Sequence, residues 1–321
     1  MSETSGADRP SGRRPGYGRR GKLAWTGLAP AGWALLSAAT ATAQTMTAAD
    51  AMAAPRDAPD HTLSWGDGPL QLGELRLPPG PGPHPVAVLV HGGCWLAEYD
   101  RYHVGPLARA LADAGVATWS LEYRRVGDAG GGWPGTFTDV ARGADHLRAL
   151  ATRFPLDLER AFAIGHSAGG QLALWLATRS RLAPRSELSV GDPLPLTGVL
   201  ALAGVPDLAR VHGLGVCGDV VDRLMGGSPS RLPERYAAAA PSERLPIGVE
   251  IVLVNGTHDP WAETADIAAF ARAARAAGDR VEVVPAPDSG HFEMITPGSS
   301  TWPLVRDAAR RLAGLEPSPP G

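Results

Sequence analysis

The chain has 321 residues, of which 44% are hydrophobic and 20% are charged, and its formal net charge is −3. This length fits one large α/β domain or two small ones, and the composition supports a sizeable core over most of the chain. No run of Lys and Arg follows residue 43, so the charge pattern gives no sign of nucleic-acid binding.

The first 43 residues predict an export signal. Arg19-Arg20-Gly21-Lys22 precedes a mildly apolar run at 23–39, and Ala41-Thr42-Ala43 resembles an A-x-A cleavage site. The long basic start resembles a twin-arginine leader, but Lys22 stands where such leaders usually carry an aromatic or large apolar residue, so the route stays open. A periplasmic or secreted protein is expected. The alternative is a disordered tail on a cytoplasmic enzyme. No later segment reaches the roughly 18 apolar residues that span a bilayer.

The rest of the chain alternates predicted strands and helices. Residues 44–60 predict a linker, and residues 61–77 predict a β-hairpin with a Gly-Asp-Gly-Pro turn. The elements that follow are a strand at 86–90, a helix at 106–114, a strand at 116–121, a helix at 138–153, a strand at 160–164, a helix at 170–178, strands at 196–203 and 249–254, a helix at 262–277, a strand at 281–285 and a helix at 300–313.

This alternation predicts an α/β fold, with a mostly parallel sheet and helices on both faces. The stretch 206–246 breaks the alternation and is predicted to form a small helical cap near the site. The predicted domain therefore spans 61–314, followed by a tail at 315–321.

A G-x-S-x-G pattern at residues 165–169 provides a candidate nucleophile. Ser167 lies between the predicted strand at 160–164 and the helix at 170–178, where a sharp turn exposes the hydroxyl. The flanking glycines allow the backbone to crowd together there. The alternative is that Ser167 is an ordinary helix N-cap.

Two later residues complete a candidate catalytic triad. A serine hydroxyl needs a base, and the base needs a carboxylate that orients it. Asp259 follows the strand at 249–254 and His291 follows the strand at 281–285, so all three side chains are expected at the carboxyl edge of the sheet. Asp266 and Asp288 are the competing acids.

The motif His91-Gly92-Gly93-Cys94-Trp95 predicts an oxyanion hole. We expect the backbone N–H groups of Gly93 and Cys94 to join that of Ala168, each donor contributing roughly 3–4 kcal/mol to transition-state stabilisation. Trp95 is the candidate for the substrate pocket. Whether the two cysteines, Cys94 and Cys217, form a disulfide stays open, and neither lies in a C-x-x-C metal or redox motif.

Polar residues near these motifs are predicted to brace the site. His91 is expected to hold its loop by a hydrogen bond, and His166 is expected to pack beside the nucleophile. Glu122 and Arg124 are expected to brace a strand end, with a substrate clamp as the alternative.

In these elements the chain resembles the α/β-hydrolase superfamily over about residues 61–314. The motif H-G-G-x-W, followed by Glu122-Tyr123-Arg124 and by G-H-S-A-G-G, looks like the carboxylesterase branch that includes kynurenine formamidases. Many lipase-type relatives have a third glycine where Cys94 stands. The resemblance implies hydrolysis of small-molecule esters or aryl formamides, with no cofactor and no metal. The candidate triad predicts a serine hydrolase that cleaves carboxylic esters through an acyl-enzyme.

Three other functions are alternatives to an esterase. An arylformamidase acting on N-formylkynurenine would use the same triad, but its substrate is made in the cytoplasm, which conflicts with the export signal. A prolyl-oligopeptidase-type peptidase normally carries a propeller domain, for which the short N-terminal region has no room. A silent binding protein usually lacks a triad residue, and all three are present here. Acyl and alcohol specificity and the oligomeric state stay open.

Overall fold

The computed structural model describes residues 45–55 and 57–316. The predicted export signal and most of the predicted tail lie outside these residues. Within the described ranges, no helix has the length and apolar character needed to cross a membrane.

One sheet of eight strands forms the centre of the domain. The strands run in the spatial order β1-β2-β4-β3-β5-β6-β7-β8. The first two are antiparallel to their neighbours and the other six are parallel. They are β1 (His61–Ser64), β2 (Leu72–Arg76), β3 (His84–Val90), β4 (Ala117–Leu121), β5 (Leu156–His166), β6 (Gly198–Leu202), β7 (Glu250–Gly256) and β8 (Val281–Ala286).

The strand burial follows from the sequence pattern. Every residue of β3 is buried, as its continuous apolar run predicts for a parallel strand covered on both faces. The predicted hairpin is confirmed, because β1 pairs antiparallel with β2. Trp119 in β4 packs directly over Gly73, where an added Cβ would lie 2.6 Å from the indole ring. The hairpin thereby extends the parallel sheet at one edge.

Ten α-helices are described. Helices α2, α5, α9 and α10 contact the strands of the sheet. The helices are α1 (Ala48–Met52), α2 (Gly105–Asp113), α3 (Gly135–Asp145), α4 (Leu147–Ala151), α5 (Ala168–Thr178), α6 (Leu208–Leu214), α7 (Val220–Met225), α8 (Pro233–Ala239), α9 (Thr264–Ala276) and α10 (Trp302–Leu312).

Two stretches differ from their sequence interpretation. The helix predicted at 138–153 starts earlier and is divided at His146 into α3 and α4. Val140 and Leu147 are buried on the two sides of this break, so the apolar spacing continues across it and gives no sign of it. The stretch 44–60, predicted as a linker, contains α1, which begins with a capping box between Thr47 and Asp50.

The connection between β6 and β7 holds three short helices, α6 to α8. Asp207 caps the first of them, because its carboxylate accepts the Arg210 N–H at 2.9 Å. The connection starts at the carboxyl end of β6. Because β5 and β6 are parallel neighbours, this end lies at the same edge of the sheet as Ser167, which follows β5.

Candidate active site

Ser167 occupies a sharp turn between β5 and α5. Its backbone has φ 54° and ψ −120°, which an ordinary N-cap residue does not adopt, and its side chain makes no capping hydrogen bond to α5. Such a conformation costs of order 1–3 kcal/mol in a residue other than glycine. The turn therefore holds the hydroxyl in place at the expense of backbone strain.

The flanking glycines make this turn possible. A Cβ on Gly165 would lie 2.0 Å from the Gly169 carbonyl oxygen, and a Cβ on Gly169 would lie 2.1 Å from the Val90 carbonyl oxygen. Both distances are far below van der Waals contact. The two glycines of the motif are thus required by packing against β3 and against each other.

His291 and Asp259 form a buried pair. The His291 Nδ1 lies 2.7 Å from Asp259 Oδ2, and both residues are buried. The other carboxylate oxygen, Oδ1, accepts the backbone N–H groups of Trp261 and Ala262, each at 2.9 Å. Asp259 therefore does not cap α9, which starts at Thr264. Its carboxylate is held from one side while it orients the imidazole on the other.

Ser167 and His291 line one cavity of about 170 Å³. Gly93, Cys94 and Ala168, predicted as oxyanion donors, also line it, as does Trp95. The structure thus brings together the residues that sequence reasoning placed at the site, although they come from loops after β3, β5, β7 and β8.

The loop at residues 91–95, predicted to form the oxyanion hole and here called the oxyanion loop, has an unusual backbone. Gly93 has φ 99° and Cys94 has φ 51°. A Cβ on Gly93 would lie 2.3 Å from the Tyr99 Cβ, so only glycine fits there. Among the described residues, no protein acceptor takes the N–H of Gly93, Cys94 or Ala168. These three donors are therefore available to a ligand in the cavity.

A buried cluster of charged side chains contacts this loop through His91. The His91 Nε2 lies 3.2 Å from Glu122 Oε1, and Arg125 and Arg101 contact the same carboxylate at 2.8 and 3.1 Å. Burial alone would raise the pKa of Glu122, but the hydrogen bond from His91 and the neighbouring positive charges lower it to about 2. The Tyr123 hydroxyl also donates to the His91 carbonyl oxygen at 2.8 Å.

Arg124 is engaged outside the cavity. Its guanidinium makes two hydrogen bonds to Asp139, of 2.6 and 2.7 Å. This bidentate pair joins the end of β4 to α3. The arrangement is that of a brace, and Arg124 does not line the active-site cavity.

Two further histidines lie against the site. The His166 Nε2 donates to the His291 carbonyl oxygen at 2.9 Å, and burial, with the nearby His291, lowers the pKa of His166 well below its usual range. Burial also lowers the pKa of His103 to about 3, with a contribution from His91. Both imidazoles are therefore neutral at physiological pH, and His166 positions the backbone of the His291 loop.

The competing acids lie elsewhere. Asp266 pairs with Arg210 at 3.1 Å, and Asp288 is exposed. Within residues 45–55 and 57–316, no group of three His, Cys, Asp or Glu side chains is arranged to hold a metal ion.

The structure also adds residues that the sequence did not indicate. Trp261 packs its ring edge-on against His291, with centroids 4.8 Å apart, and Tyr99 lines the cavity. Cys94 and Cys217 form a disulfide that ties the oxyanion loop to the connection after α6. Tyr99 and Trp261 are single aromatic residues in loops, so no periodic pattern marks them.

Comparison with known proteins places this geometry in context. A protein-family model described as BD-FAE matches residues 75–272, more than half of the chain. No curated protein sequence matches the chain.

Solved structures share the fold. A truncated carbohydrate esterase from gut microbiota has a TM-score of 0.68 at 16% identity and covers 81% of this chain and 97% of its own. Esterase B from Lactobacillus rhamnosis HN001 has a TM-score of 0.66 at 20% identity, with coverages of 81% and 89%. An acetyl ester-xyloside bifunctional hydrolase from Caldicellulosiruptor lactoaceticus has a TM-score of 0.64 at 17% identity, with coverages of 80% and 98%. The predicted α/β-hydrolase fold is thereby confirmed.

Proposed function

Because the chain belongs to the BD-FAE family and has the α/β-hydrolase fold, we propose that it is a serine hydrolase that cleaves carboxylic esters. One observation carries the proposal: Ser167, on its strained turn, and His291, bonded to Asp259, line the same cavity. Esterases among the structural relatives support the same reaction class.

The reaction proceeds through an acyl-enzyme. The Ser167 hydroxyl oxygen attacks the ester carbonyl carbon while its proton passes to His291 Nε2. The carbonyl oxygen becomes negatively charged and accepts hydrogen bonds from the N–H groups of the predicted donors Gly93, Cys94 and Ala168. The tetrahedral intermediate then collapses, the bond to the alcohol oxygen breaks, and His291 returns the proton to the departing alcohol. A water molecule then attacks the carbonyl carbon of the acyl-enzyme while its proton passes to His291. The bond to the Ser167 oxygen breaks, His291 returns the proton to Ser167, and the carboxylic acid leaves.

Asp259 acts through His291. Its carboxylate accepts the Nδ1–H, so that Nε2 carries the lone pair that receives the serine proton. The negative charge also stabilises the imidazolium that forms during the attack. The two backbone donors on Oδ1 keep the carboxylate in the required orientation.

The cavity favours an uncharged, apolar group on the ester. Among the described residues that line it, none is Asp, Glu, Lys or Arg, while Val205, Val211 and Val216 contribute apolar surface. A charged group would lose its hydration there without gaining a partner. Neutral esters are therefore the proposed substrates.

The test is hydrolysis of p-nitrophenyl esters from acetate to decanoate, with N-formylkynurenine assayed in parallel. We expect ester turnover, and we expect Ser167→Ala to lower kcat by at least about 10³-fold. Ser189→Ala, at an exposed serine, is the control and retains full activity. A fluorophosphonate probe labels the wild type and not Ser167→Ala. Ester turnover that survives Ser167→Ala contradicts the proposal, and faster cleavage of N-formylkynurenine than of any ester makes the protein an arylformamidase.

We further propose that the protein acts outside the cytoplasm. The leader-like pattern at 1–43 supports this, and so does the Cys94–Cys217 disulfide, because disulfides persist in oxidising compartments. Fractionation of expressing cells and N-terminal sequencing test the proposal. A mature chain that starts at Gln44 in the extracytoplasmic fraction is the expected result, and an intact cytoplasmic chain contradicts it.

A further inference from the structure

The first described segment of the chain forms one wall of the active-site cavity. We call residues 45–55 and 57–60 the strap, which includes α1. Ala48, Ala51 and Met52 of the strap line the same cavity as Ser167 and His291. All three side chains are apolar, so this wall contacts a substrate through shape and hydrophobic surface alone.

The start of the strap is fixed to the loop that carries His291. The Met46 N–H donates to Glu293 Oε1 at 2.7 Å, and the Gly290 N–H donates to the other oxygen of Glu293 at 3.0 Å. Thr45 packs over Gly290, where an added Cβ would lie 2.8 Å from the Thr45 Cβ. One buried carboxylate therefore joins the strap to the residue before His291.

The end of the strap is fixed to β2. The Arg76 side chain, which is 1% exposed, donates to the Asp57 carbonyl oxygen at 3.0 Å. The Leu77 N–H donates to Asp60 Oδ2 at 2.6 Å. The strap is thus held at both ends by hydrogen bonds to the domain.

Between these ends the strap separates two cavities. A second cavity, of about 560 Å³, is lined by Asp50, Arg109 and Pro297, and Ala51 and His103 line both cavities. Within α1, Ala51 is the buried residue, whereas Met52 is 42% exposed. A helix with space on two sides acts as a partition, and the side chains that it presents determine how much room remains beside Ser167.

We infer that the strap determines the chain length of the esters that this enzyme accepts. Ala48, Ala51 and Met52 limit the apolar group of the substrate, and the inference rests on the proposed ester hydrolysis. In a closely fitting apolar pocket, one methylene changes kcat/KM by about 10–200-fold. Side chains of different size on this wall must therefore shift the length preference while the reaction at Ser167 is unchanged.

Neighbouring alanines on α1 provide a matched pair for the test. Ala48 lines the cavity, whereas Ala49 is exposed and lines neither cavity. Both are to be replaced by leucine, which keeps helix propensity high. The complementary variant is Met52→Ala, which shortens the wall. Each is assayed on p-nitrophenyl esters of increasing acyl length and on acetates of increasing alcohol length.

We expect Ala48→Leu to lower the ratio of kcat/KM for hexanoate or longer esters to kcat/KM for acetate by about 10-fold or more. Met52→Ala should raise the ratio of long to short esters, and Ala49→Leu should match the wild type. A changed length dependence in the acyl series shows that the acyl group contacts the strap, and a change in the alcohol series shows that the alcohol group does.

The inference is overturned if neither series changes its length dependence in Ala48→Leu and Met52→Ala, or if Ala49→Leu shifts it as much as Ala48→Leu. Failure of the proposed function is recognised separately, because the wild type then hydrolyses no ester or does so without Ser167. Circular dichroism and the urea midpoint of each variant show that the folded state is retained.

Discussion

The Nδ1 of His291 and the Oδ2 of Asp259 lie 2.7 Å apart, while Asp259 Oδ1 accepts two backbone N–H groups. In Asp259→Asn the amide oxygen keeps these two donors, so the amide NH₂ is directed at His291. The imidazole then carries its proton on Nε2 and cannot take the serine proton. We expect kcat to fall by about 10⁴-fold.

The measurement is kcat on p-nitrophenyl acetate, with circular dichroism to verify the fold. Asp266→Asn is the control, because Asp266 pairs with Arg210 away from His291, and it should retain full activity. A kcat for Asp259→Asn within tenfold of the wild type would exclude Asp259 as the residue that orients the base.

The Cys94–Cys217 disulfide closes a long loop of chain. The two residues are 123 positions apart, and a cross-link of that length restricts the unfolded chain strongly. Cys217→Ala should lower the free energy of unfolding by about 3–5 kcal/mol. Urea unfolding with and without dithiothreitol measures this. The reductant should destabilise the wild type and leave Cys217→Ala unchanged, and equal midpoints for oxidised and reduced wild type would contradict the prediction.

We expect the same disulfide to affect catalysis. Cys94 provides a proposed oxyanion donor through its N–H, and its side chain is tied to Cys217 in the connection after α6. Reduction frees the loop, so kcat should fall more than KM rises, since the donor acts mainly in the transition state. Stopped assays after mild reduction, under conditions where the protein stays folded, test this. A fall in kcat/KM caused by KM alone would show that the bond shapes the pocket and not the oxyanion loop.

Much of this architecture was predictable, for a topological reason. Parallel strands bring their carboxyl ends to one edge, so loops after β5, β7 and β8 converge wherever they lie in the sequence. Ser167 follows β5 directly, whereas Asp259 and His291 lie in the loops that start at the ends of β7 and β8. The fully buried strands β3 and β6 were also readable, since buried parallel strands are continuous apolar runs. The bounds of β5 were not readable, because it spans Leu156–His166 and its residues 157–160 are partly buried or exposed.

Other parts of the site were not predictable, because they depend on packing between distant segments. The stretch 44–60 has the composition of a linker and was predicted as one. Its one local helix signal is the capping box between Thr47 and Asp50, which the structure shows. Its attachment to Glu293, 247 positions away, leaves no local pattern. The disulfide was equally hidden, since two cysteines far apart in sequence do not reveal whether their Cα atoms approach.

The free energy of unfolding should decrease in mildly acidic solution, because His103 is buried in its neutral form. Burial lowers the pKa of His103 to about 3, whereas an unfolded histidine titrates near 6.5. Between these values the unfolded chain binds one more proton, so stability is full above pH 6.5 and falls as pH decreases toward 3, by about 1.4 kcal/mol per pH unit. His166, whose pKa is also lowered, adds to the slope.

Urea midpoints from pH 4.5 to 8 measure this dependence. His103→Gln removes one titrating group, so its stability should depend less on pH, by about one proton, than that of the wild type. His258→Gln, at an exposed histidine, is the control and should reproduce the wild-type slope. An unchanged slope in His103→Gln would show that His103 is not buried in its neutral form.

Glu122 links the buried charges under the oxyanion loop. Its carboxylate contacts Arg125, Arg101 and His91. Glu122→Gln preserves the shape but leaves the two guanidinium groups short of a counter-charge, which costs about 3 kcal/mol of stability. This value is at the lower end of the cost of breaking a buried ion pair, because Arg101 still pairs with Glu74 and Arg125 still pairs with Asp128.

The variant should also lower kcat more than it raises KM, since His91 positions the loop that holds the oxyanion donors. Glu98→Gln, at an exposed position in the same loop region, should change neither stability nor kcat.

The decrease of stability at acidic pH gives a further test of Glu122. The low pKa of Glu122, about 2, contributes stability that is present above about pH 4.5 and lost as pH falls toward 2. Glu122→Gln should lack this part of the acid transition, and an acid transition as steep as that of the wild type would show that the cluster does not depend on the charge of Glu122.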